Sequence, residues 1–115
     1  MERYAIGIDL GGTSVKYAVV ASSGKMPFSG QLPAFAEESA EAVLGQVLKG
    51  VEACREYAVS EGLMLAGVGV GTPGVVSADG RTVLGGAENI AGWENIPLAG
   101  RVEAAEGLKT LAGND

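Results

Sequence analysis

Apolar residues in this chain fall into short runs whose period changes along the sequence. Tyr4 to Leu10 is almost continuously apolar, and a second run from about Val15 to Ala21 follows a break at Gly11-Gly12-Thr13. Two such runs across a tight glycine turn predict an antiparallel strand pair, the first of them buried on both faces. Ser22-Ser23-Gly24-Lys25 reads as a further turn into a third strand, roughly Met26 to Leu32, ended by Pro33. The period then becomes helical: Ala40, Val43, Leu44, Val47, Val51, Cys54 and Ala58 share one stripe. Ser39 is placed to cap that helix, Glu41 to complement its positive end and Gly62 to stop it. Gly50 inside it costs about 1 kcal/mol relative to alanine, which close packing on the sheet would account for.

Leu63 to Gly71 reads as a strand reached through a crossover helix, the usual route to parallel pairing. A glycine-rich break, Gly69-Val70-Gly71-Thr72-Pro73-Gly74, lies at its carboxyl end, where ligands of such sheets bind. Ala78-Asp79-Gly80-Arg81 predicts a hairpin turn before a short strand, Thr82 to Leu84. Pro97 suits the first turn of a second helix running to about Glu106 and closed by Gly107. A last strand is predicted from Leu108 to about Ala112, delivering Gly113-Asn114-Asp115. The fold class is therefore α/β: a mixed sheet of three antiparallel strands followed by parallel strands and crossover helices. That order opens a ribonuclease H-like domain, the fold of actin and hexokinase-like ATPases.

Composition narrows the chemistry. At 115 residues the chain makes one domain, with 47% apolar and 19% charged residues and frequent interruption by 19 glycines. Its net charge of −6 disfavours nucleic acid as a partner, so any phosphate site must rest on local donors. The single cysteine, Cys54, excludes an intramolecular disulfide, and the absence of histidine leaves no ordinary Cys/His zinc site. Cys54 lies on the apolar stripe and reads as a core residue rather than a nucleophile. No apolar run reaches membrane-spanning length and Met1-Glu2-Arg3-Tyr4 runs straight into a strand pattern, which makes the cytoplasm the expected location.

The first hairpin carries the strongest candidate chemistry. Glycine at positions 11 and 12 can adopt positive φ and bring backbone amides within reach of a phosphate oxygen. The Thr13 hydroxyl and the Lys16 ammonium would add donors, and Asp9 stands at the strand end where a hydrated metal ion is usually held. The alternative is an ordinary hairpin whose glycines only satisfy turn geometry.

Gly7-Ile8-Asp9-Leu10-Gly11-Gly12-Thr13 resembles the first phosphate loop of the ROK sugar kinases, relatives of bacterial glucokinases. Gly69-Val70-Gly71-Thr72-Pro73-Gly74-Val75-Val76-Ser77 is similar to the family's second signature, although the family often has aspartate where Ser77 stands. The segment from Glu88 to Leu98, with Asn89 and Trp93, resembles its Asn-Leu-Pro-Gly-Trp stretch, with Ala91 where a proline is common. Asn114-Asp115 matches the start of its catalytic segment. The resemblance implies Asp115 as catalytic base, Asn114, Gly74 and Asn89 as sugar-binding residues, and ATP with Mg²⁺ as cofactors, the metal on Asp9 through water. Trp93 either stacks on a sugar or anchors its loop.

The resemblance further implies a hexose or N-acetylhexosamine acceptor, a homodimeric parent and a structural zinc only in a C-terminal domain absent from this chain. Residues 1–115 are then expected to be an N-terminal sugar-kinase domain, inactive alone. Two other classes share the resemblance, a sugar-sensing transcriptional repressor and a non-catalytic sugar-binding module. Polyphosphate stands beside ATP as a possible donor.

Overall fold

A computed structural model describes residues 2–115. β1 (Tyr4–Leu10), β2 (Ser14–Ala21) and β3 (Phe28–Pro33) form an antiparallel meander. α1 (Ala40–Ser60) crosses over the sheet and brings β4 (Leu65–Thr72) beside β1 in parallel. A small ribbon, β5 (Val75–Val76) with β6 (Val83–Gly85), leads to α2 (Leu98–Glu106), after which β7 (Thr110–Asn114) pairs in parallel with β4. The five-stranded order is β3-β2-β1-β4-β7, the mixed sheet expected from the run of periods.

The core lies between this sheet and the helices. Val43, Leu44, Val47, Val51, Cys54 and Ala58 of α1 are buried, as the stripe predicts, against Ile6, Ile8, Leu10, Val15 and Val19. Burying each large aliphatic side chain fully contributes roughly 1.5–3 kcal/mol before entropy is charged. A Cβ added to Gly50 would stand 3.2 Å from the Tyr17 ring, so the glycine does mark close helix–sheet packing. Ser39 caps α1 by accepting from the Ala42 amide at 3.0 Å.

Burial of β1 on both faces is not what the structure shows. Ile6, Ile8 and Leu10 are buried beneath α1, whereas Asp9 is exposed on the other face. Gly7, Asp9, Ala18, Val20 and Gly69 line an open trough of about 560 Å³ there. Small residues, rather than an apolar stripe, make that second side, and the sequence run hid the alternation.

Three strand starts come about two residues later than expected, each because a cap or turn uses those residues. Gly62, at φ +68, closes α1 with Leu63 donating to the Ala58 carbonyl at 2.8 Å, so β4 begins at Leu65. Gly107, at φ +71, closes α2 with its amide on the Glu103 carbonyl, and β7 begins at Thr110 and runs on to Asn114. Lys25 accepts from the Ala21 amide in the turn after β2, and Pro27 has no amide to give, so β3 begins at Phe28. The short strand near Thr82 is likewise Val83–Gly85, because the Thr82 carbonyl accepts from Ser77 in the preceding turn.

Candidate functional site

Parallel pairing of β1, β4 and β7 sends their carboxyl ends to one edge of the sheet. The hairpin between β1 and β2 stands at that edge, and so do the break after β4 and the end of β7. The register places Asp9 opposite Gly71 and Gly71 opposite Gly113. Asp115, two residues beyond Gly113, brings its carboxyl over Gly71 and beside Asp9. Burial, and after it the Asp9 carboxylate, push the Asp115 carboxyl above its ordinary value. A raised carboxyl is the better proton acceptor near neutral pH.

Lys16 pairs directly opposite Asp9 across β1 and β2, so its ammonium stem leaves the sheet on the same face. Both side chains are exposed. In the hairpin itself the Gly11 amide donates to the Ser14 carbonyl at 2.9 Å. The Thr13 carbonyl accepts from Ala34, and the Thr13 side chain is exposed.

Neither Gly11 nor Gly12 occupies the left-handed region, which corrects the expectation that positive φ explains them. Gly12 supplies clearance instead. A Cβ there would lie 2.5 Å from Nδ2 of Asn89, the residue singled out in the segment before α2. Gly74 does require glycine, at φ +93 with the Gly85 carbonyl 2.6 Å from where a Cβ would stand. Its own carbonyl accepts from the Asn114 side-chain amide, which joins two of the residues expected to bind sugar. Gly74, Ser77, Gly80, Gly113 and Asn114 line a hollow of about 410 Å³.

Trp93 is 2% exposed and donates through Nε1 to Oγ1 of Thr72 at 2.8 Å. Its ring is thus the anchor of its loop and offers no face to a ligand. Thr72 and Gly71 stand in the glycine-rich break after β4, but their partners, Trp93 and Asp115, lie far along the chain. Arg81, which the sequence places in a turn, grips Glu103 of α2 through two nitrogens, at 2.8 and 2.6 Å. It also donates to the Thr110 carbonyl at 3.1 Å, while Glu103 accepts from the Thr110 amide. The start of the strand that ends in Asn114-Asp115 is fixed from both sides. The glycines at 67, 69 and 71 mark one face of β4 in the sequence, but only at Gly67 and Gly71 does another group come close.

The profile of the ROK family matches residues 5–115. The chain belongs to the ROK family. A glucokinase of Streptomyces coelicolor is 33% identical over 110 residues, 96% of this chain and 32% of that protein. The ROK chain thus spans about a third of the length of the curated relatives it matches. Among solved structures, a ROK family glucokinase from Streptomyces griseus in complex with glucose and AMPPNP superposes with TM-score 0.82 at 31% identity. That superposition covers 96% of this chain and 33% of the other. A ROK family transcriptional regulator superposes with TM-score 0.83 over 97% of this chain and 28% of its own, at 18% identity. That last likeness shows the shared fold alone. These relatives have the actin and hexokinase-like ATPase fold, and the mixed sheet described above is its N-terminal part.

Proposed function

We propose that this chain is the N-terminal domain of an ATP-dependent sugar kinase that transfers the γ-phosphate to a hydroxyl of a hexose or N-acetylhexosamine. The observation that carries the reading is the approach of the Asp115 carboxyl to Asp9 at the strand ends, beside a Gly-Gly-Thr hairpin. Kinship with glucokinases, one of them solved with glucose and a nucleotide analogue, favours a kinase over a regulator.

Asp115 takes the proton of the attacking sugar hydroxyl, a role that a carboxylate at the strand ends beside Asp9 can fill. Asn114 and the Gly74 backbone, already joined, orient the sugar in the adjoining hollow, with Asn89 offering donor and acceptor to another hydroxyl. The amides of Gly12 and Thr13, the Thr13 hydroxyl and Lys16 receive the phosphates, while Gly11, whose amide is spent on the Ser14 carbonyl, shapes the hairpin that presents them. Phosphoryl transfer asks for positioning and charge neutralisation more than covalent chemistry, and this set provides both.

Mg²⁺ fits the donor set, since it is usually held by one or two carboxylates and substrate phosphates, and Asp9 is the oxygen ligand in place, through water. When bound, the ion neutralises charge on the phosphates. No group of three or more metal-binding side chains occurs among the described residues, so the ion would depend on the nucleotide for most of its ligands.

The remaining two thirds of the relatives' length are proposed to supply the adenine pocket and the rest of the sugar site, with the whole enzyme cytoplasmic. No helix among the described residues is long and apolar enough to cross a membrane. A coupled assay of the whole gene product against a panel of hexoses and N-acetylhexosamines, with ATP and Mg²⁺, tests the reading. Asp115→Asn is expected to lower kcat by about 10²–10⁴-fold with folding intact. Residues 1–115 alone are expected to show no turnover, and substantial phosphorylation by them would contradict the two-domain requirement.

A further inference from the structure

A glycine inside a strand weakens it by roughly 0.5–1 kcal/mol relative to alanine and often marks a place where another group comes close. Gly71 in β4 does not occupy the left-handed region, so backbone freedom does not account for it. Space does. A Cβ built there would stand 3.2 Å from Cγ of Asp115 and closer still to its Oδ1, with the Ile8 carbonyl 3.7 Å away on the neighbouring strand. Gly69 lies two residues earlier on the same strand and face, and nothing comes within 4 Å of a Cβ there. Gly113, opposite Gly71 on β7, is equally open. Of these three glycines, only Gly71 occupies the spot that an acidic side chain needs empty.

We propose that Gly71 is a positioning residue of this site: the missing side chain admits the Asp115 carboxyl to the space beside Asp9. The obstructed atom is the end of a flexible side chain, so a methyl at residue 71 turns the carboxyl aside at little cost to the fold. Asp115 then loses its place between β1 and β7 while the sheet keeps its register. Gly71 touches no reactant in this account and acts only through Asp115. The catalytic consequence rests on the kinase reading; the geometric one does not.

The test compares Gly71→Ala with Gly69→Ala. In crystal structures of residues 1–115, Gly71→Ala is expected to move the Asp115 carboxyl by about 1 Å or more, a misplacement that can cost an enzyme about 10²-fold. Gly69→Ala is expected to leave it in place. Side-chain couplings of Asp115 in solution report the same change of rotamer. In the whole gene product, Gly71→Ala should lower kcat about 10²-fold, with KM for ATP and melting temperature held, and Gly69→Ala should lower neither.

An unmoved Asp115 in Gly71→Ala, or equal loss of kcat in both variants, overturns the proposal. If the wild-type gene product phosphorylates no sugar, the kinase reading fails, and the position of Asp115 in the variant still decides the role of Gly71.

Discussion

Gly67, Gly69 and Gly71 alternate along one face of β4, yet their surroundings differ enough that one substitution should have three outcomes. A Cβ at Gly67 would meet the backbone carbonyl of Lys109 at 2.6 Å, and that carbonyl already accepts from the Val68 amide at 2.8 Å. Neither strand can yield without breaking the pairing of β4 with β7. Gly67→Ala is therefore expected to destabilise the chain by about 1–3 kcal/mol, the usual cost of overpacking. Gly69→Ala meets open space and should stabilise by about 0.5 kcal/mol, because alanine loses less entropy than glycine on folding. Urea midpoints of the two variants check the sign of each. Cys54 offers a second test at this scale. Burial pushes its thiol up to about 12, so at pH 8 it should resist alkylation until the chain unfolds. Thiol labelling of native and urea-unfolded protein should differ by orders of magnitude in rate.

Elements end where their caps allow, and this decides which parts of the fold could be read in advance. Ser39 and Gly62 bracket α1 because each satisfies backbone groups that the helix leaves open, and both signals are local. β4 and β7 start later than the apolar pattern predicts because Leu63 and Leu108 look like strand residues, whereas the Leu63 amide and the Gly107 amide close the preceding helices. The site divides in the same way. Asp9, the Gly-Gly-Thr hairpin and Asn114-Asp115 are contiguous motifs, so the sequence offers them as candidates without knowledge of the sheet order. Gly71 and Thr72 matter through neighbours on β7 and in the loop around Trp93, and those depend on which strands lie side by side. Arg81 and Glu103 belong to the same class, a pairing across 22 residues that joins the turn before β6 to α2 and β7. Hydrogen bonds from the Arg81 guanidinium, with help from the Thr110 amide, hold the Glu103 carboxyl down to about 2. A depressed carboxyl contributes stability that is present above its unfolded value of 4.5 and lost as pH falls through the folded value. Between pH 4.5 and 2 the melting temperature of the wild type should fall more steeply than that of Glu103→Gln, and calorimetry across that window measures the difference.

The whole molecule has one core, and it lies on one side of the sheet. Every strand of the five sends buried residues or close packing toward α1 or α2, while the opposite face is an open trough floored by small residues. A core that does not depend on the open face should let residues 1–115 fold cooperatively, as chains under 150 residues usually do. Trp93 makes this testable with a single intrinsic probe, since it is the only tryptophan and reports on the loop that carries Asn89. Its indole is bound to Thr72 at the carboxyl end of β4, and the Ala91 amide donates to Ala36 beside the first hairpin. The loop is thus tied at two points, to β4 through Thr72 and to the turn after β3 through Ala36. Urea unfolding followed by Trp93 fluorescence and by far-ultraviolet circular dichroism should give coincident transitions, with a slope of about 1–2 kcal/mol per molar urea. Thr72→Val removes the hydroxyl and strands a buried indole N–H, at about 1–3 kcal/mol. In that variant the fluorescence transition should move to lower urea than the dichroism, because the loop then leaves the sheet first. Separated transitions in the wild type would mean that the Asn89 loop is not part of the cooperative unit.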